Sequence, residues 1–198
     1  MVEKAKGALV ELRRCLPDLR LAATAFAILV MLFSAATLTP MSGAEAEEAQ
    51  GFLSSYLAQD LAVRIFLNNL LVALLSEVPF LGPPILGYII YDSGRFVGWQ
   101  LAGLGVKPHM APLLVLATTL LSGYGLLEFM GYALTVAKSI QVSRRLVGGL
   151  LRKEGACGGG VVRGGMVTLL VAALLLALGA WLEARSIEAS ISTISNSS

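Results

Sequence analysis

Five side chains able to do ionic, acid–base or amide chemistry, Asn68, Asn69, Asp92, Arg95 and Glu128, sit inside stretches otherwise built of aliphatic and aromatic residues. A charge at the middle of a membrane-spanning helix costs about 2.5 to 3.5 kcal/mol on insertion scales, so such residues pair within a bundle or line a path. Asp92 and Arg95 are three apart, a spacing that puts both on one helical face and permits a direct ion pair. Arg95 carries five donors, enough to hold Asp92 and also to reach Glu128 on the next helix. One net negative charge is then left over, to be met by a proton on a carboxyl group or by an attracted cation. Structural pairing, a transport or proton-relay role and partner docking all stay open for this set.

The elements that must position these residues follow from composition. The chain has 198 residues, 56% hydrophobic and 14% charged, with a mean hydropathy of +0.77, outside the range of ordinary soluble domains. It reads as an all-α, polytopic integral membrane protein, a multi-pass transmembrane helix bundle in the cell membrane. Apolar runs of about 20 residues, the length a bilayer requires, fall at 19–38, 61–81, 84–105, 110–136 and 167–182. Five spans are expected. Most of the remaining charge lies between the runs, so the net charge of +2 is a topology signal. No basic face interleaved with aromatics is present, which excludes nucleic acid as a partner.

Lys138, Arg144, Arg145, Arg152, Lys153 and Arg163 crowd one loop, and Lys4, Lys6, Arg13, Arg14 and Arg20 the N-terminal arm. Both belong on the cytoplasmic side by the positive-inside rule. Segment 43–60 has Glu45, Glu47, Glu48 and Asp60 without Lys or Arg, and belongs on the other side. The N-terminus is then inside and the C-terminus outside. The divisions are a basic arm 1–18, a transmembrane domain 19–185 with a basic and Gly-rich cytoplasmic loop 138–165, and a flexible Ser-rich tail 186–198. The first span has a second reading as a secretory signal, with small residues at Ser42-Gly43-Ala44 after it. Its length and the long arm before it favour an uncleaved anchor.

Counting depth at about 1.5 Å per residue places Asp92, Arg95, Glu128 and the Asn68-Asn69 pair in one band, so a single polar layer on three helices is expected. Pro79, Pro83 and Pro84 interrupt the join at 76–84, which reads as a tight turn or as a re-entrant segment. Gly94 and Gly98, with Gly123, Gly125 and Gly131 on the following span, allow close helix approach, within one chain rather than at a dimer face. A dimer face, and with it a homo-oligomer, is the second arrangement this pattern allows. The basic loop 138–163 is either an orientation signal alone, or its residues 139–153 form a helix with an apolar side for anionic lipid or a protein partner, through Arg144, Arg145, Arg152 and Lys153; an extension of the fourth span would produce the same pattern. Segment 44–60 is a solvated loop or a short outer helix whose acids need no special explanation.

The run Ile65-Phe66-Leu67-Asn68-Asn69-Leu70 followed by Val72-Ala73-Leu74-Leu75 resembles the signature segment of the stage II sporulation protein M family. Gly125-Leu126-Leu127-Glu128 resembles that family's His-Gly-x-x-Glu helix, and Trp181-Leu182-Glu183-Ala184 its closing segment. The resemblance covers about residues 60–185. It departs at Tyr124, where the family commonly has His, and at Tyr91-Asp92-Ser93-Gly94, where Phe-Asn-Gly is typical. The resemblance implies a non-enzymatic membrane scaffold or assembly component with a membrane or cytoplasmic protein partner besides the lipid bilayer. The alternative is a small transporter or channel for an ion, proton or small solute, using the same polar layer.

No catalytic cluster assembles. His109 is the sole histidine, Cys15 and Cys157 are far apart without a Cys-x-x-Cys, and 155–165 lacks the Gly-Lys-Ser/Thr of a phosphate loop. No cofactor and no metal are expected. The terminal Asn196-Ser197-Ser198 is formally a glycosylation sequon and carries little weight.

Overall fold

Asp18 opens the first long helix by accepting the backbone N–H of Arg20 on its side chain at 2.8 Å, satisfying one of the donors that a helix start leaves unpaired. The computed structural model describes residues 15–56, 60–152 and 159–195. Among these the helices are α1 (Leu19–Ala36), α2 (Gly43–Tyr56), α3 (Leu61–Ser76), α4 (Gly82–Gly103), α5 (Ala111–Leu121), α6 (Tyr124–Arg152) and α7 (Gly159–Ser195), with a 3₁₀ turn at Pro108–Met110 before α5. The fold is all-α. Two helical segments, Leu19–Ala36 and Val162–Ala189, are long and apolar enough to cross a membrane, and the bent α5–α6 pair makes a third if it counts as one span. Helix α3 is apolar but shorter.

The chain reverses tightly between α3 and α4. Pro83 and Pro84 fall in the first turn of α4, where a missing N–H costs nothing. Phe80 takes a positive φ of 63°. The turn is braced from α6, because Ser139 Oγ donates to the Val78 carbonyl at 2.8 Å and the Phe80 N–H donates to Ser143 Oγ at 2.8 Å. A tight turn therefore joins these helices.

The expected continuous span 110–136 is broken. Helices α5 and α6 meet at 87°, since Gly123 adopts φ +67°, a left-handed conformation that glycine enters without a Cβ penalty. Ser122 Oγ then accepts the Gly125 N–H at 3.1 Å and caps α6. From there α6 runs unbroken to Arg152, so residues 138–152 continue this helix instead of forming a separate loop. Helix α7 likewise outruns its expectation in both directions. Residues 159–165 are helical instead of linker and 186–195 helical instead of flexible tail; 153–158 and 196–198 lie outside the described residues.

Helices α1, α4 and α7 begin at one end of the bundle, where α3 ends and α6 continues past Ser139. Gly82 packs on Ser76 and Ser139, and Gly164 packs on Lys138 and Cys15. At the other end Gly98 lies on Thr37, and Gly179 lies on Tyr124 and Glu128. Leu29, Val30, Val72, Leu86, Ile90, Phe129, Tyr132 and Leu176 fill the space between. A Cβ on Gly94 would meet the Phe33 carbonyl oxygen and lie 2.7 Å from Ala36 Cβ, so this stripe serves α1–α4 packing inside the chain. Gly125 is different, for its near neighbours are Ser122 Oγ and the Thr119 backbone. Its small size lets the start of α6 approach the end of α5 closely at the break.

Candidate functional site

Asn69, Val72, Ala73 and Ser76 are the buried residues of α3, spaced three and four apart so that they share one inward face. Glu128 is in the second turn of α6, just past the break. The Asn69 side-chain amide donates to Glu128 Oε1. Gly179 of α7 closes over this pair, for a Cβ there would stand 3.2 Å from Glu128 Cγ and 3.3 Å from the Tyr124 carbonyl oxygen. Glu183, one turn further along α7, is near enough for its charge to act on Glu128. Asn68 is half-buried beside Asn69 and is not the residue that holds Glu128.

Asp92 and Arg95 belong to a separate cluster. Arg95 Nη1 contacts Asp92 Oδ1 at 3.2 Å, as the spacing predicts. Its other amine turns away from Glu128, meeting Glu45 Oε2 at 3.1 Å and the Pro40 carbonyl at 2.9 Å. One guanidinium thereby stitches α4 to the loop after α1 and to α2. The single polar layer of Asn68, Asn69, Asp92, Arg95 and Glu128 is thus two clusters. Depth along a helix does not fix the direction a side chain takes around it, and Arg95 is long enough to reach a different level.

Glu45 was not singled out as a site, yet its signal was present. Ser42-Gly43-Ala44-Glu45 is a capping box: the Ser42 N–H donates to Glu45 Oε2 at 2.8 Å and the Glu45 N–H donates to Ser42 Oγ at 3.3 Å. These small residues therefore open a helix. The Ser42 amide and hydroxyl, with the Arg95 guanidinium beside them, hold the Glu45 carboxyl down to about 2.

A third polar group stands at the opposite end. Lys138, expected in an exposed basic loop, is 3% exposed, and its ammonium donates to the Cys15 carbonyl at 2.8 Å. Glu77 lies nearby with Oε1 buried and unpartnered. Of the basic set, Arg144 and Arg145 are exposed on α6; Arg152 ends that helix, and Lys153 lies outside the described residues. His109 is exposed in the 3₁₀ turn. Among the described residues no group of three His, Cys, Asp or Glu side chains is placed to hold a metal.

The fold and these clusters define a class, an all-helical protein with two to three helical segments, among the described residues, long and apolar enough to cross a membrane, whose polar groups Asn69, Glu128, Asp92 and Arg95 are engaged within the chain. No family model, curated protein or solved structure matches it.

Proposed function

We propose that this chain is a multi-pass scaffold or assembly component of the cell membrane, without catalytic activity. The observation that carries the reading is the internal pairing of the polar residues: Asn69 binds Glu128, and Arg95 is held by Asp92, Glu45 and Pro40. Interhelical polar contacts of this kind hold bundles in lipid, where their worth averages roughly 0.6 kcal/mol each. The family resemblance points the same way. Asn69 of its first segment binds Glu128 of its second, and Glu183 of the closing segment is near enough for its charge to act on Glu128.

In this reading α1, α3, α4, α6 and α7 are the five spans, with α2 and α5 on the outer side. The alternating helix directions are compatible with that path, and the basic arm and the Arg144-Arg145 end of α6 then share the cytoplasmic side, as the positive-inside rule asks. Arg144 and Arg145 are the surface offered to a partner or to anionic headgroups. A protein that co-purifies with the intact chain and is lost on Arg144→Glu with Arg145→Glu is the expected result.

One observation favours the transporter reading instead: the helix break at Ser122-Gly123 stands one turn from Glu128, and discontinuous helices beside buried carboxylates are used by transporters to form ion sites. Reconstituted liposomes decide the matter. A proton, ion or solute flux abolished by Glu128→Gln would replace the scaffold reading, and absence of flux beside a stable partner would remove the transporter.

A further inference from the structure

Glu77 follows directly on the last residue of α3, and its Oε1 is shut off from solvent without a hydrogen-bond partner. A buried unpaired carboxylate oxygen is costly, because desolvation of the charge is not repaid by any donor. The hydroxyls of this end of the bundle bond elsewhere. Ser76 Oγ bonds the Ala73 carbonyl at 2.8 Å and lies 2.6 Å from Thr135 Oγ1. Ser139 Oγ serves Val78, and Thr168 Oγ1 serves Gly164. Lys138, whose charge acts on Glu77, gives an ammonium N–H to the Cys15 carbonyl.

Packing holds this arrangement in place. A Cβ at Gly165 would lie 3.1 Å from Glu77 Oε1, and one at Gly164 would run into Lys138 Nζ and stand 3.2 Å from the Cys15 carbonyl. Two adjacent glycines of α7 therefore form the floor under both groups. The groups facing Glu77 are Lys138 from α6, the Gly164-Gly165 floor from α7, and the segment at Cys15 before α1; Arg163 on α7 is exposed, and Arg145 acts on Lys138 from further along α6.

We propose that Glu77 is a proton-binding site that works a latch: protonated, it leaves Lys138 on the Cys15 carbonyl, and deprotonated, it draws Lys138 away and frees the segment ahead of α1. The proton passes to water, and the new carboxylate takes the nearest ammonium as partner. The Lys138–Cys15 bond ties the start of α1 to α6, so its loss undocks that end of the bundle. Burial pushes the Glu77 carboxyl up to about 7, with the Lys138 charge only partly opposing the shift. The latch thus operates in the neutral range. It does not depend on the number of membrane crossings or on what the chain assembles with.

The full chain carrying Cys157→Ser, in detergent, tests this with maleimide labelling of Cys15 from about pH 6 to about pH 8.5. Rates are divided by those of the same chain with Glu77→Gln at each pH, which removes the thiol's own titration. The ratio is expected near one at the acid end and to rise several-fold towards the alkaline end, while Lys138→Met reacts fast throughout. A flat ratio, or Lys138→Met matching the native rate at acid pH, overturns the latch. Infrared difference spectra give an independent reading if Lys138→Met does not fold. A carboxylic acid band lost on alkalinisation and missing from Glu77→Gln supports the site, and spectra identical in the two chains refute it.

Discussion

Asn69 and Glu128, 59 residues apart in the chain, meet side chain to side chain where α3 crosses the start of α6. The contact lies one turn from the α5–α6 break and is covered by Gly179 of α7. It therefore gathers three helices and the break into one locus, so its removal affects them together.

Asn69→Leu removes the amide and leaves the buried Glu128 carboxyl without its partner. The expected loss is about 1 to 3 kcal/mol, read as a lower melting temperature in detergent. Glu128→Gln keeps an acceptor for Asn69 and should cost much less. Equal losses from both variants would mean that the charge, and not the hydrogen bond, is what matters.

Docking of α2 depends on pH in the acid range. The Glu45 carboxyl titrates near 2 in the folded chain, below its ordinary 4.5, so its contribution is present above the ordinary value and lost as pH falls through the folded one. The difference in melting temperature between the native chain and Glu45→Gln should be seen at about pH 6 and shrink towards about pH 2.5. Arg95→Gln should give only part of the pH-dependent loss seen in Glu45→Gln, because Ser42 still holds the carboxyl, and should speed hydrogen exchange in α2.

The α1–α4 contact tolerates no side chain at two glycines. Beyond the clash at Gly94, a Cβ on Gly98 would meet the Thr37 carbonyl oxygen and lie 2.7 Å from Thr37 Cα. Backbone cannot yield as a flexible side chain does, so Gly94→Ala or Gly98→Ala should destabilise by about 1 to 3 kcal/mol. Gly87→Ala, on the same helix with nothing within 4 Å, should be silent. Thermal stability of the three variants checks this.

Orientation is read by a membrane-impermeant maleimide on intact cells. Cysteine at Glu47 or Glu48, both exposed on α2, should label, whereas Cys15 and Cys157 should not. Ala46 would be a poor reporter because it is fully buried. Labelling confined to the native cysteines would invert the proposed topology.

Much of the site was legible residue by residue. The Asp92–Arg95 pair followed from spacing, because three positions along a helix bring two side chains onto one face. Gly94 and Gly98 were read as internal packing positions, and the structure sets them against α1. Partners across helices were not legible. Arg95 was expected to reach Glu128 and instead reaches Glu45, whose capping box with Ser42 is a local pattern that does not specify a partner on another helix.

The sequence by itself determined the helical class, the apolar segments, the tight turn at the prolines and the identity of the polar residues. Each depends on the local chain: side-chain hydropathy, the missing proline N–H and helical spacing. The tertiary structure alone decided that α5 and α6 break at Gly123, that Lys138 is buried against Cys15, and that the polar residues form two clusters. Those outcomes depend on how helices are rotated about their axes and on which distant backbone they meet, information that no single segment contains.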